Sequence, residues 1–200
     1  MVGITDYHYT ESSIAPFLSL IKFLGENITV VEVGSARGDS VFHCLQECNN
    51  ITKFIAIEPF QEYIDDITFN QNGEPNQIKY DERHQHLNMC IFDHRLKFSS
   101  FKSKIKLIKN TSENALDLVP DKSVDFLFHD AFPTYEDAKF DFKNWLPKMK
   151  HTGIYSGHDF NHDIIQKALY ETIQENNIRA KLNIIGQCWF FNLKENYGNK

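Results

Sequence analysis

The sequence predicts an α/β fold: a Rossmann-like, doubly wound sheet of seven mostly parallel strands, with helices on both faces and an antiparallel hairpin at its C-terminal end. Three observations support this prediction. Apolar strand-like runs alternate with helical patterns along the chain, which is typical of a parallel sheet covered on both faces. The first run is followed by a glycine-containing turn and then by a helix. The last two runs follow each other without a helix between them, so we expect them to pair as a hairpin.

Seven apolar runs are predicted to be strands. In chain order they are Thr29–Val33, Lys53–Ile57, Lys104–Ile108, Ser123–His129, Gly153–Ser156, Lys181–Ile185 and Gln187–Leu193. Apolar residues at helical spacing predict helices at Ser13–Leu24, Asp39–Cys48, Tyr135–Leu146 and His162–Glu175. The first strand is a nearly continuous apolar run, as expected where both faces of a strand are buried.

The stretch 61–80 is longer than a crossover between two parallel strands requires. Its polar, Asn-rich composition predicts an inserted loop, and residues 81–96 have enough apolar spacing for the crossover helix. Two hundred residues without an internal repeat suit one core of ordinary size. We therefore expect residues 1–200 to form a single domain.

Composition and charge narrow the class of protein. The formal net charge is −6, so no global basic surface argues for a nucleic-acid partner. No run approaches the ~20 apolar residues of a membrane span, and the N-terminal residues lack the regions of a signal peptide. The four cysteines are too few and too scattered for a disulfide framework, and we expect Cys44 and Cys48 to be buried thiols rather than zinc ligands. These features predict a cytoplasmic protein and leave its oligomeric state open.

The turn after the first strand is the strongest local signal. Glu32 interrupts an apolar run, where an isolated buried carboxylate is costly. Gly34, Ser35, Gly38 and Ser40 then lead into a helix, whose N-terminus favours an anionic group. Such a turn lies at the carboxyl end of the strand, where open parallel sheets bind ligands. Of the three positions that the dinucleotide fingerprint reserves for glycine, the first holds Gly34 but the others hold Ala36 and Asp39, which disfavours a nicotinamide cofactor.

A ligand with a positive charge opposite Glu32 would explain why a carboxylate lies within an apolar strand. S-adenosylmethionine has such a cation, because its tail carries an ammonium beside a carboxylate. The alternative is that Glu32 caps the turn itself. Glu58 ends the second strand twenty positions after Gly38, where an acid can accept the ribose hydroxyls. Ser112 lies among polar residues that follow the third strand and is placed for the adenine edge.

These residues resemble those of class I S-adenosylmethionine-dependent methyltransferases over nearly the whole chain. The stretch 125–160 is similar to the family of macrolide-sugar O-methyltransferases, whose pattern runs roughly D-G-x-H-x-Y-E, a helix, P-x-L-K-x-G-G and G-H-D. The matching positions are Asp130, Tyr135, Glu136, Pro147, Lys150, Gly153, Gly157, His158 and Asp159. Ala131 replaces the glycine of the pattern, and Pro133 stands where relatives have a histidine that can act as a general base.

Asp130 and Asp159 follow two strands that we expect to be neighbours. Two carboxylates at one opening repel each other unless one is protonated or a cation lies between them, and oxygen ligands suit Mg²⁺ or Mn²⁺. The resemblance implies the same divalent ion, with Asn161 as a third ligand by analogy with catechol-type enzymes. The alternative is that one aspartate caps the following helix.

The resemblance implies transfer of a methyl group from S-adenosylmethionine to a hydroxyl of a sugar. His158 is our first choice of general base and Asp130, which lies beside the cofactor, the second; alternation along the strand should turn His129 away. The insertion 61–77 and the N-terminal segment are candidates for contacting the acceptor. The alternatives are a phenolic acceptor, a nucleotide-binding oxidoreductase or epimerase, and a binding module without catalysis.

Overall fold

The computed structural model describes residues 13–65, 78–131 and 134–197. Its strands are β1 (Ile28–Val33), β2 (Ile51–Ile57), β3 (Tyr63–Asp65), β4 (Ile78–Tyr80), β5 (Ile105–Ile108), β6 (Val124–His129), β7 (Met149–Gly157), β8 (Asn183–Ile185) and β9 (Cys188–Asn192). Its α-helices are α1 (Leu18–Phe23), α2 (Asp39–Glu47), α3 (Glu82–Phe98), α4 (Ser112–Ala115), α5 (Tyr135–Trp145), α6 (Asp163–Glu175) and α7 (Lys194–Tyr197). Short 3₁₀ turns lie at Ala15–Phe17, Lys102–Lys104, Leu116–Leu118 and Leu146–Lys148.

The main sheet has seven strands in the order β5-β2-β1-β6-β7-β9-β8. The five strands from β5 to β7 run parallel, whereas β9 is antiparallel to both β7 and β8. This arrangement confirms the predicted fold class and the hairpin at the C-terminal end. After β1 the chain forms β2 and β5 on one side of β1, and it then crosses to the other side of β1 to form β6. A crevice is therefore expected where the connections after β1 and β6 diverge, at the carboxyl ends of those two strands.

Helices cover both faces of the sheet. Successive residues of β1 point to opposite sides, and Val30 and Val31 accordingly belong to two separate apolar clusters. The cluster around Val30 includes buried side chains of α1, α2 and α3. The cluster around Val31 includes those of α4, α5 and α6. The continuous apolar character of β1 thus follows from burial on both of its faces.

Several element boundaries differ from the prediction. The helix expected at Ser13–Leu24 begins as a 3₁₀ turn at Ala15–Phe17, with Pro16 in its first turn, where the missing N–H needs no partner, and α1 covers only Leu18–Phe23. Strand β7 begins four residues before Gly153. Its amino-terminal part includes exposed polar residues, so hydrophobicity alone did not mark it as a strand.

The insertion 61–80 is more structured at its ends than the predicted loop. Strands β3 and β4 pair antiparallel outside the main sheet, and the rings of Tyr63 and Tyr80 stack with their centroids 4.6 Å apart. The centre of the insertion, including Phe69, lies outside the described residues, as do residues 1–12 and Pro133. The crossover helix is present as α3, and the Asp81 side chain caps it by accepting the His84 N–H at 2.9 Å.

None of the helices among the described residues is both long and apolar enough to cross a membrane. Cys44 and Cys48 are buried free thiols, as predicted. The extent of the domain over residues 1–200 stays a prediction.

Candidate active site at the carboxyl ends of β1 and β6

The glycine turn after β1 is pressed against the end of β6. Gly34 has a φ of 88°, and a Cβ placed on it would lie 2.3 Å from the carbonyl oxygen of Asp130. Gly38 has a φ of 86°, and its Cβ would lie 2.9 Å from the ring of Phe92. Both positions therefore require glycine for the packing of the protein itself, a reason that sequence reasoning missed when it assigned the glycines to ligand approach.

Glu32 is a buried acid on β1, one residue before the strand ends. Its side chain is almost fully buried, and among the described residues its Oε2 has no hydrogen-bond partner. Burial first, and the nearby Asp130 second, raise the pKa of Glu32 to about 8, although hydrogen bonds from Ser35 and Ser40 oppose the rise. Because buried polar atoms normally have partners, this oxygen is suited to a ligand that brings a donor or a positive charge.

Glu58, directly after β2, hydrogen-bonds to the backbone of the glycine turn that follows β1. Its carboxylate accepts the backbone N–H of Ala36 at 2.8 Å and that of Phe60 at 3.0 Å. Burial raises the pKa of Glu58, and these two hydrogen bonds counteract the rise. Each carboxylate oxygen can accept a further hydrogen bond, so the structural role leaves acceptor capacity at the end of β2.

Ser112 begins α4 after the end of β5. Its hydroxyl donates to Asp141 Oδ1 at 2.5 Å and accepts the indole N–H of Trp145 at 2.7 Å. The hydroxyl is thus engaged inside the protein. A contact between Ser112 and a ligand would use its backbone or the one lone pair that remains on its hydroxyl oxygen.

Asp130, His158 and Asp159 form a cluster where β6 and β7 end. The Nδ1 atom of His158 lies 2.9 Å from Asp159 Oδ1 and 3.5 Å from Asp130 Oδ1. One ligand atom from each residue lies within 4.8 Å of the others, and no other group of this kind is found in the described part of the chain. The structure thus brings the two aspartates close together, whereas their role as a cation site stays a prediction.

Two backbone hydrogen bonds and one turn position this cluster. The Asp130 N–H donates to the carbonyl of Val33 at 2.8 Å, and the His158 N–H donates to the carbonyl of His129 at 2.9 Å. Asp159 has a left-handed φ of 58°, which is uncommon for a residue with a side chain. The sheet register and this turn bring together side chains from two strands that are distant in the sequence.

The electrostatics of the cluster follow from burial and from the crowding of two acids. Burial raises the pKa of Asp130 to about 6, while His158 and a hydrogen bond from Ser13 lower it and Asp159 raises it. Burial lowers the pKa of His158, but the hydrogen bond to Asp159 and the charge of Asp130 outweigh burial, so the net change is a rise. The cluster therefore favours positive charge between the two carboxylates.

The side chains of Asn161 and His129 contact residues outside this cluster. Asn161 is exposed, and its amide nitrogen contacts the His162 ring nitrogen Nε2 at 3.4 Å. His129 is fully buried, with its Nε2 atom 2.8 Å from the Tyr155 hydroxyl, which confirms that strand alternation turns it away from Asp130. Burial lowers the pKa of His129 to about 3, so it stays neutral in the core.

Sequence reasoning missed Ser13. Its hydroxyl donates to Asp130 Oδ2 at 2.5 Å and lies 3.5 Å from the Ser40 hydroxyl. The two hydrogen-bonded residues are 117 positions apart, and no local pattern in the sequence connects them.

Comparison with known proteins identifies the family. A family model described as a methyltransferase domain matches residues 31–160, which include the glycine turn and the whole cluster. The chain belongs to this methyltransferase family. The methyltransferase domain has the fold of the class I enzymes, as the resemblance in its sequence implied.

The chain is also similar to one curated protein in sequence and to several solved structures in fold. The uncharacterized protein y4gI of Sinorhizobium fredii is 29% identical over 133 residues, which are 65% of this chain and 13% of that protein. The chain thus spans a small part of the length of this curated relative. Among solved structures, a candidate caffeoyl-CoA O-methyltransferase from Staphylococcus aureus shares 16% identity at a TM-score of 0.60, over 90% of this chain and 82% of that chain. The O-methyltransferase NovP shares 14% identity at the same TM-score of 0.60, over 89% and 79% of the two chains.

Proposed function

We propose that this methyltransferase domain transfers the methyl group of S-adenosylmethionine to a hydroxyl of a sugar, with a divalent cation bound between Asp130 and Asp159. One observation carries the proposal. The unpartnered oxygen of Glu32 and the Asp130–His158–Asp159 cluster lie at the ends of strands that lead into one crevice. A site for the cationic tail of the cofactor and a site for a metal ion would thereby be adjacent.

The chemistry of the crevice fits S-adenosylmethionine. Glu32 would receive the ammonium of the cofactor tail, because its buried oxygen has no partner among the described residues. The backbone of the turn from Gly34 to Gly38, with Ser35 and Ser40, would hold the tail carboxylate. Glu58 would accept the ribose hydroxyls, Ser112 would contact the adenine through its backbone, and Asp130 would lie beside the methyl group. When bound, the cofactor supplies a methyl group on a positively charged sulfur.

The donor set of the cluster fits Mg²⁺ or Mn²⁺. Carboxylate oxygens are the ligands that these ions prefer, and Asp130 and Asp159 present two such groups around one imidazole. Asn161 is our candidate for a third oxygen ligand. A bound divalent ion lowers the pKa of an oxygen ligand by several units, which favours loss of the proton from a hydroxyl.

His158 is our first choice for the group that accepts the proton of the acceptor hydroxyl, and Asp130 is the second. The His158 ring is held by Asp159 at 2.9 Å, so its orientation is fixed before an acceptor arrives. Asp130 has a pKa raised to about 6, which brings its basicity closer to that of an imidazole. The two groups are adjacent, so a proton released at the crevice has an acceptor within the cluster.

A sugar acceptor is supported by the resemblance of residues 125–160 to sugar O-methyltransferases. A phenolic acceptor is the second candidate, because the structure from Staphylococcus aureus, a candidate caffeoyl-CoA O-methyltransferase, is as similar in fold as NovP. We expect no nucleic-acid acceptor, since the formal net charge is −6.

The test is an acceptor panel read by mass spectrometry. The protein is incubated with S-adenosylmethionine carrying a labelled methyl group and with sugar or catechol acceptors, with Mg²⁺, with Mn²⁺ or with EDTA. We expect a labelled methyl ether on a sugar, loss of the product in EDTA and recovery when either ion is added back. Full turnover in excess EDTA would contradict the cation site. Labelling of catechols alone would replace the sugar by a phenol.

A further inference from the structure

Ser13 connects the N-terminal part of the chain to the crevice. Its hydroxyl donates to Asp130 Oδ2 at 2.5 Å, a hydrogen bond of the short, charge-assisted kind. The opposite oxygen of the same carboxylate, Oδ1, lies 3.5 Å from His158 Nδ1. One oxygen of Asp130 is thus held by Ser13, while the other faces the remaining members of the cluster.

The backbone of Ser13 is held in place by its surroundings. The next residue, Ile14, is fully buried, as is Phe17 in the following turn. The Cys188 thiol donates to the Ser13 carbonyl at 3.4 Å. The Phe17 ring packs against Phe128 on β6, with ring centroids 5.6 Å apart, so Ser13 and Asp130 belong to elements that are packed together.

The Ser13 hydroxyl lies close to Ser40 at the start of α2 as well as to Asp130 at the end of β6. It is 3.5 Å from the hydroxyl of Ser40, and Ser40 lies close enough to Glu32 to lower the pKa of that acid. A chain of polar groups therefore runs from Glu32, at the proposed cofactor site, through the two serines to Asp130. Ser13 is the member of this chain that contacts a proposed cation ligand directly.

We propose that Ser13 is a positioning residue for the cation site: its hydrogen bond fixes the rotation of the Asp130 carboxylate so that Oδ1 points toward His158 and Asp159. This inference rests on the proposed function, because it assumes that Asp130 is a cation ligand. A carboxylate that loses such a partner can turn away from the geometry that the ion needs. Loss of a partner that orients a metal ligand typically weakens metal binding by about 10–100-fold.

The experiment compares Ser13→Val with Ser13→Thr, a pair of nearly equal side chains that differ in the hydroxyl. Mn²⁺ binding is measured by electron paramagnetic resonance in the presence of S-adenosylhomocysteine. We expect Ser13→Val to weaken Mn²⁺ binding by about tenfold, and Ser13→Thr to bind Mn²⁺ as the wild type does. The affinity for S-adenosylhomocysteine, measured by calorimetry, should stay the same in both variants.

A matched control and a second variant complete the design. Ser123→Ala removes a hydroxyl that donates to the Pro120 carbonyl at 2.7 Å, at the amino end of β6, and should leave Mn²⁺ binding unchanged. Ser13→Ala repeats the test with a smaller side chain if Ser13→Val fails to fold. Wild-type Mn²⁺ affinity in a folded variant that lacks the hydroxyl would overturn the role of Ser13 alone. A wild-type protein that does not bind Mn²⁺ would overturn the cation site of the proposed function and this inference with it.

Discussion

Two groups of polar side chains lie close to the central sheet, and they differ in charge, because the first contains one carboxylate, Asp141, whereas the second contains three, Glu32, Asp130 and Asp159. The interior group lies between the sheet and α5 and consists of Ser112, His129, Asp141, Trp145 and Tyr155. In this group the Ser112 hydroxyl both donates and accepts. The Tyr155 hydroxyl donates to the Phe142 carbonyl at 2.8 Å and contacts His129 Nε2 at 2.8 Å. These hydrogen bonds connect α4, α5, β6 and β7.

The crevice group consists of Glu32, Asp130, His158 and Asp159. Here Glu32 has a buried oxygen without a partner among the described residues. Asp130 and Asp159 both face the single nitrogen Nδ1 of His158. The group has more acidic oxygens than hydrogen-bond donors, so a cationic ligand would offset its negative charge. The comparison teaches that a polar group with a single carboxylate can be held within the fold by its own hydrogen bonds, whereas a group with three carboxylates and one imidazole is suited to a cationic ligand.

The largest expected effect is the loss of activity when a carboxylate of the crevice group is neutralised. Asp130→Asn and Asp159→Asn keep the shape of each side chain but remove its charge. We expect each to lower turnover by about a hundredfold or more, because the proposed cation and the proton acceptor both depend on these groups. Turnover on the acceptor found in the panel, together with S-adenosylhomocysteine affinity by calorimetry, measures the effect.

The control for this change is Asp121→Asn, since Asp121 is an exposed partner of Lys148 at 2.7 Å and exposed ion pairs contribute little. S-adenosylhomocysteine should still bind to the Asp130→Asn protein, because the other proposed cofactor anchors lie on other elements. An Asp130→Asn protein with wild-type turnover would show that the unbalanced acids do not take part in the chemistry.

An intermediate effect is expected from Glu32→Gln, which should raise stability and weaken ligand binding at once. In the wild type the pKa of Glu32 is raised from 4.5 to about 8. Between these values the unfolded chain is ionised while the folded protein holds the proton, so the acid destabilises the fold as the pH rises. Glutamine removes this penalty, but it also removes a charge-assisted hydrogen bond, so affinity for S-adenosylhomocysteine should fall about tenfold.

The pH dependence sharpens this prediction. An ammonium requires the ionised acid, so wild-type affinity for S-adenosylhomocysteine should increase from pH about 6 to about 8, toward the raised pKa of Glu32. The affinity of the Glu32→Gln protein should be nearly independent of pH over the same range. Calorimetry at several pH values measures both. Parallel pH profiles for the two proteins would assign Glu32 to the turn rather than to the ligand.

The smallest effect is expected in the interior group, from Asp141→Asn. Burial raises the pKa of Asp141 from 3.8 to about 7, although the hydrogen bond from Ser112 opposes the rise. The folded protein therefore keeps this proton to a higher pH than the unfolded chain, and the wild type loses stability as the pH rises from about 4 to about 7. Asparagine can still accept from Ser112, so the variant should avoid this loss of stability, which is on the order of a few kcal/mol, and the variant's effect on ligand binding should be the smallest of the three.

Urea denaturation at a series of pH values measures this difference. The two proteins should have similar free energies of unfolding near pH 4, and the variant should be the more stable one above pH 7, following the titration of Asp141. Binding of S-adenosylhomocysteine should change little, because the asparagine of the Asp141→Asn protein would still accept the hydrogen bond from the Ser112 hydroxyl and so keep Ser112 in place. A constant difference in stability at every pH would show that Asp141 is not titrating in the core.

The sequence by itself determined the parts of the fold that local chemistry specifies. Apolar runs between helical patterns predicted the seven-stranded doubly wound sheet, because a strand buried on both faces must be apolar throughout its length. Gly34 and Gly38 were recognisable as the turn after β1, and Glu32 as an acid that needs a partner. The end of β6 and the end of β7 were recognisable from Asp130 and from the stretch around His158 and Asp159.

Only the tertiary structure decided which polar groups are satisfied. The sequence could not show that the Ser112 hydroxyl turns inward to Asp141, that Glu58 accepts backbone N–H groups, or that Ser13 reaches Asp130. Each of these contacts joins residues on different elements, and their partners are set by sheet order and helix packing rather than by spacing along the chain. Local patterns report what a residue can bind, whereas only the assembled fold fixes which neighbour it meets and which oxygen remains for a ligand.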